Sequence, residues 1–188
     1  MQAVVSSLGT AAVAGYTAAS KADQLSVLVN NAMMTAISNY VAQNFGAGKK
    51  DRIRLGVRAS LIQTEAFNIL MCIGILLLRH PIVELFLSNP TAEIYHYSDV
   101  FLTIEAPFYF LLGLLAVYRT SIQSMQNGRA PFAACMIELV MRLAATVWLS
   151  RFLGYTAVCI ASPLAWFGAV ALLIPVYYRM MMKPVKTV

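Results

Sequence analysis

The sequence predicts an all-α, polytopic membrane helix bundle, and three observations carry that expectation. First, 60% of the 188 residues are apolar and only 12% are charged. Ordinary soluble domains carry about 25% charged residues, so this chain has too little charge to cover a water-facing surface. Second, the runs at 100–118 (VFLTIEAPFYFLLGLLAVY) and 157–178 (AVCIASPLAWFGAVALLIPVYY) approach or exceed the roughly 20 residues that cross a bilayer. Third, the basic residues gather at alternate ends of the apolar runs, as the positive-inside rule requires.

Five runs read as complete helices. Residues 1–8 read as the tail of another, with Gly9 and Thr10 as the turn. No basic n-region precedes the first apolar stretch, which argues against a signal peptide, and Met1 is read as an internal methionine of a longer chain. The first complete helix covers about 11–44. Its Ser20, Gln24, Asn31, Thr35, Asn39 and Gln43 fall mostly four apart, which lays one polar stripe along a single long helix. The alternative is a break at the SKADQ stretch, 20–24. The second helix covers 56–78, the third 97–118, the fourth 131–150 and the fifth 156–178, the last bracketed by Pro163 and Pro175.

Between the first two helices stands QNFGAGKKDRIR, 43–54. A phosphate-binding P-loop needs a glycine five residues before Gly48, a serine or threonine after the lysine, and a preceding strand; Gln43 and Lys50 occupy the first two positions, and no strand is predicted. As a turn the stretch makes sense. Gly46 and Gly48 supply the backbone freedom that ends a helix, and Asp51 suits the start of the next.

Placing that turn on the cytoplasmic side also places 118–129 and the tail 177–186 there. Those regions hold Lys49, Lys50, Arg52, Arg54, Arg58, Arg119, Arg129, Arg179, Lys183 and Lys186, against Arg79, Arg151 and Lys21 on the outer side. The segment 79–99 supplies Glu84, Glu93 and Asp99 instead. The bias predicts a cytoplasmic C-terminus in a multi-pass protein of the cell membrane. It also accounts for the +6 net charge without nucleic acid, leaving the lipid bilayer as the expected partner.

Charges within spans are costly and normally face a cavity or a partner. Glu65 lies near the middle of its helix beside Ser60, Thr64 and Asn68, an i, i+4, i+8 stripe. It reads either as part of a hydrated, protonatable path or as a hydrogen-bonded helix contact. Glu138 and Arg142 stand at i, i+4 in the favourable order, a structural ion pair or a part of gating. Glu105 precedes Pro107 in the outer half of its helix. Lys21 and Asp23, two apart, fit the outer interface. Ser7, Ala11 and Gly15 recur every four residues and favour close helix approach. Cys72, Cys135 and Cys159 sit in separate apolar runs, and His80 and His96 form no i, i+4 pair. These patterns offer no catalytic constellation, no metal site and no cofactor motif, so an enzyme is not expected.

Two stretches resemble the second half of multidrug and toxic compound extrusion (MATE) transporters. AGYTAASKADQL with AISNYVAQNFGAGKKDRIRLGVR is similar to the family's long helix and its Q-N-x-G-A-G turn. YRTSIQSMQNGRAPFAACMIELVMR is similar to its tenth-to-eleventh helix passage, and GYTAVCIASPLAW fits its final hairpin. The resemblance implies twelve helices in two six-helix lobes that exchange protons or sodium ions for bulky, mostly cationic drugs. Residues 1–188 would then be the C-terminal transmembrane lobe, from the end of helix seven onward, and the N-terminal lobe its missing partner. Asn31, Thr35, Asn39 and Glu65, with Lys21, Asp23 and Glu105, become candidates for the substrate and ion cavity. One branch of the family carries an ion-binding aspartate in the tenth helix, and Leu112 stands near that position here. A lipid-linked sugar flippase of the same superfamily and a small accessory membrane protein are the other readings.

Overall fold

A computed structural model describes residues 5–87 and 89–182. Residues 1–4 of the leading tail, and Lys183 and Lys186 of the basic count, lie outside them. The turn expected at Gly9 and Thr10 begins earlier, with Leu8 N–H donating to Val5 O at 3.1 Å, and Thr10 already belongs to the next helix.

That helix, α1, runs unbroken over Thr10–Gly46. Its 37 residues extend about 55 Å at 1.5 Å per residue, and the polar stripe predicted this single element. It ends in a Schellman motif. Gly48, at φ +69°, donates its N–H to Phe45 O at 3.0 Å, and Lys49 N–H reaches back to Asn44 O at 2.9 Å. The glycine-basic stretch is therefore a helix stop.

Helix α2 follows at Lys50–Leu77 with Asp51 in its first turn, six residues ahead of the expected start. The outer segment, read as a loop, contains a short helix α3, Arg79–Phe86. Thr91 then caps α4, Ala92–Glu105, with its hydroxyl oxygen accepting from Ile94 N–H. Pro107 cannot donate a backbone hydrogen bond, and the chain tightens there into a 3₁₀ turn, Ala106–Phe108, before α5, Tyr109–Ser124. Helix α5 stops as α1 does: Gln126, at φ +63°, donates to Gln123 O at 3.0 Å, and Asn127 donates to Ile122 O at 3.3 Å. Both basic turns thus use one geometry, with glutamine replacing glycine in the second.

Helix α6, Arg129–Ala144, passes through a π turn, Ala145–Leu149, into α7, Ser150–Leu153. Gly154, at φ +54°, reverses the chain into α8, Tyr155–Met182. Among the described residues, four stretches are long and apolar enough to cross a membrane: α2, Ala92–Ser124, Arg129–Leu153 and α8. The fifth expected span is α1, long enough but diluted by its polar residues.

Small side chains set the packing. Ala157, Ala161, Ala165 and Ala169 recur every four residues on α8 and are fully buried. On α1 the buried small residues include Ala12, Gly15, Ala18, Ala19 and Ala22; of the expected Ser7–Ala11–Gly15 stripe only Gly15 lies fully inside. A Cβ at Gly15 would stand 2.8 Å from Ile94 O of α4, so glycine permits that approach. The outward faces are apolar, with Ile62, Ile69, Leu70 and Ile73 exposed on α2 and Leu139, Val140 and Leu143 on α6.

Candidate functional site: a buried polar seam

The core of the bundle contains a polar seam where α1, α2 and the Pro107 turn meet. Asn68 of α2 is 1% exposed. Its Nδ2 donates to Tyr109 O at 3.1 Å, and its Oδ1 accepts from Asn30 Nδ2 of α1 at 3.1 Å. Asn30 Nδ2 also donates to Ser26 O at 2.9 Å. A buried amide left unpaired costs about 1–3 kcal/mol, so these bonds pin α1 and α2 to the first turn of α5.

Glu65 stands three residues before Asn68 on that face. Both its carboxylate oxygens are buried without a hydrogen-bond partner. The space beside them exists because residue 113 is glycine: a Cβ there would lie 2.6 Å from Glu65 Oε1.

Toward the α3 end of the bundle the seam becomes more charged. Glu105, at the last turn of α4, is 2% exposed, and its Oε2 has no partner. Asp23 of α1 likewise buries an unpartnered Oδ1. Glu105 interacts electrostatically with Asp23, and the Arg142 guanidinium of α6 attracts both. The Tyr109 side chain is buried with its hydroxyl facing Asp23 and Ser26, while its carbonyl holds Asn68. Tyr109 therefore links the charged part of the seam to the amide part.

The ion pair expected between Glu138 and Arg142 is replaced by another. Glu138 Oε1 pairs with Arg119 Nη2 of α5. Arg142 remains one turn along in the same surface hollow and serves Asp23 and Glu105. The i, i+4 spacing did put both side chains on one face, but a guanidinium on the neighbouring helix takes the carboxylate.

The seam unites Asp23, Glu65, Glu105 and Arg142. It excludes Lys21, Asn31, Thr35 and Asn39, which lie on the exposed part of α1; Thr35 Oγ1 merely donates to Asn31 O within the helix, at 3.2 Å. Sequence reasoning missed Ser26, Asn30 and Tyr109. The four-residue step from Ser26 to Asn30 was available, but in the doublet Asn30–Asn31 it chose the outer amide. Asp23 belongs to the seam, inside the interface position expected for it. Among the described residues no group of three or more His, Cys, Asp and Glu is placed to hold a metal ion. His80 of α3 instead meets Asp99 of α4, its Nε2 lying 3.0 Å from Oδ2.

A bundle with apolar outer faces and charged groups sealed inside is that of a multi-pass membrane protein. The sequence pattern of the MatE family matches residues 1–148, and the chain belongs to that family. It is 21% identical over 165 residues to a Shewanella oneidensis protein named FAD transporter, a match covering 87% of this chain and 36% of that protein. Its fold is similar to that of the Vibrio cholerae MATE transporter VcmN in the bent form, with a TM-score of 0.83 and 19% identity over 95% of this chain and 40% of the other. The chain thus spans little more than a third of the length of these relatives. The family and its solved neighbour are transporters, not enzymes.

Proposed function

We propose that residues 1–188 form the C-terminal lobe of an exporter that exchanges protons or sodium ions for bulky, mostly cationic drug-like molecules. One observation carries the reading: four carboxyls in the interior, those of Asp23, Glu65, Glu105 and Glu138, share two guanidiniums, those of Arg119 and Arg142. An uncompensated carboxylate inside a membrane costs several kcal/mol, so the surplus carboxyls take up a proton or a sodium ion. Release then requires a state in which water reaches them, and this links cation exchange to the change of conformation. Asp23 and Glu105 form one exchange point around Arg142, and Glu65 forms a second. Tyr109 and Asn68 connect the two.

The exposed polar groups of α1, Lys21, Asn31, Thr35 and Asn39, face the missing N-terminal lobe across the substrate cavity. In this reading the basic turns and the C-terminus are cytoplasmic in the cell membrane. A second reading, favoured by the name of the Shewanella relative, keeps the same lobe and exchange points but gives the cargo as FAD, an aromatic anion.

The test is efflux by the transporter that carries this lobe, in cells lacking their own exporters, with a fluorescent aromatic cation and FAD followed separately. Glu65→Gln is expected to lower export of the cation several-fold at unchanged protein level. Loss confined to FAD would establish the second reading. Equal export of both compounds at equal protein level would remove Glu65 from the mechanism.

A further inference from the structure

At the end of the bundle bearing the two basic turns, α2, α5 and α8 enclose a hollow of about 360 Å³. Its walls include Arg54, Arg58, Tyr118, Tyr177, Tyr178 and Met182. The proposed exchange chemistry does not use it.

The cations in and beside the hollow have different tasks. Two cations of α2 reach carbonyls in the last described turn of α8. Lys50 Nζ donates to Met180 O at 3.0 Å, and Arg54 Nη2 donates to Met181 O at 3.1 Å. Arg54 Nη1 also pairs with Asp51 at 3.1 Å. These contacts quench the carbonyls that would repel an anion. Arg58, one turn further along α2, is exposed and makes no hydrogen bond or ion pair among the described residues. Its planar guanidinium is suited to a phosphate.

The rest of the hollow is aromatic. Tyr118 and Tyr177 pack edge to face with centroids 5.2 Å apart, and Tyr177 and Tyr178 with centroids 5.5 Å apart. Tyr178 is 54% exposed and interacts with the Tyr118 side chain. Tyrosines at a membrane boundary sit at the level of lipid headgroups. From Arg58 the outer face of α2 continues through Ile62, 63% exposed, to Ile69, 58% exposed. That apolar track begins beside a phosphate-binding cation and runs in the direction of an acyl chain.

We infer that this hollow is a binding site for an anionic phospholipid, its phosphate on Arg58 with Arg54 adding positive charge beside it, its headgroup hydroxyls among the tyrosines and an acyl chain along Ile62 and Ile69. Basic pockets between membrane helices are suited to such headgroups. The site stands on the membrane fold alone and is independent of the transport reading.

Native mass spectrometry of the full chain, purified in mild detergent and incubated with dioleoyl phosphatidylglycerol or dioleoyl phosphatidylcholine, tests it. Wild type is expected to retain the anionic lipid about tenfold more than the zwitterionic one, and R54Q/R58Q to lose that preference. R52Q/R129Q removes the same charge at this end outside the hollow and is expected to keep the preference. R58Q against R129Q repeats the comparison without disturbing the bonds of Arg54 to Asp51 and Met181. Equal retention of the two lipids by wild type would overturn the site, as would equal loss in the hollow variant and its charge-matched control.

Discussion

Two carboxyl-bearing regions of the bundle, one around Glu138 and one around Asp23 and Glu105, solve the problem of buried charge differently. Glu138 has a cation of its own, Arg119, on the neighbouring helix. Asp23 and Glu105 have Arg142 between them and keep oxygens without hydrogen-bond partners. A matched pair has no need of a further ion, and its role is to fix how α6 docks on α5. In the exchange reading proposed above, an under-supplied pair is where a mobile cation is taken up. In the proposed reading, the carboxyl paired across α5 and α6 serves cohesion, and the two that share Arg142 serve exchange.

The comparison is broken most forcefully at the matched pair. Removing one partner of a buried ion pair costs about 3–5 kcal/mol, while replacing both by apolar groups is often neutral. Arg119→Met and Glu138→Gln are each expected to lower thermal stability in detergent by amounts of that order, and the double variant to recover most of the loss. Additive losses in the double variant would mean that the two side chains act separately. A smaller effect probes the unpaired carboxyl of the amide part of the seam, Glu65. Gly113→Ala puts a methyl group against Glu65 and Asn68, and overpacking of this kind costs about 1–3 kcal/mol. The expected result is a lower melting temperature that Glu65→Ala partly restores, measured by the same thermal scans.

Much of the fold was legible because lipid-facing helices must be apolar along most of their length. The stripe on α1 also predicted one long helix rather than two. The short α3 was not legible, since its eight residues include Pro81 and are followed closely by the turn-forming Ser88, Asn89 and Pro90. In the seam, Asp23, Glu65 and Glu105 announced themselves as charges within or beside apolar runs. The partner of Glu138 did not, because spacing along one helix sees Arg142 and is blind to Arg119 across the interface. Asn30 was lost to its neighbour Asn31, where a rotation of one residue decides which amide faces inward. Tyr109 was hidden for a different reason: tyrosine is ordinary in a membrane helix, and only the Pro107 turn aims its carbonyl at Asn68 and its hydroxyl at Asp23.

The most direct test of the account is infrared spectroscopy of the protein in lipid vesicles, comparing wild type, Glu105→Gln and Glu138→Gln with and without sodium. If Asp23 and Glu105 hold an exchangeable cation, wild type shows a carboxyl signal that changes with sodium or with deuterium exchange. Glu105→Gln loses that signal, and Glu138→Gln keeps it. A spectrum indifferent to sodium and deuterium, or one unchanged by Glu105→Gln, would contradict the assignment of this pair as the exchange point.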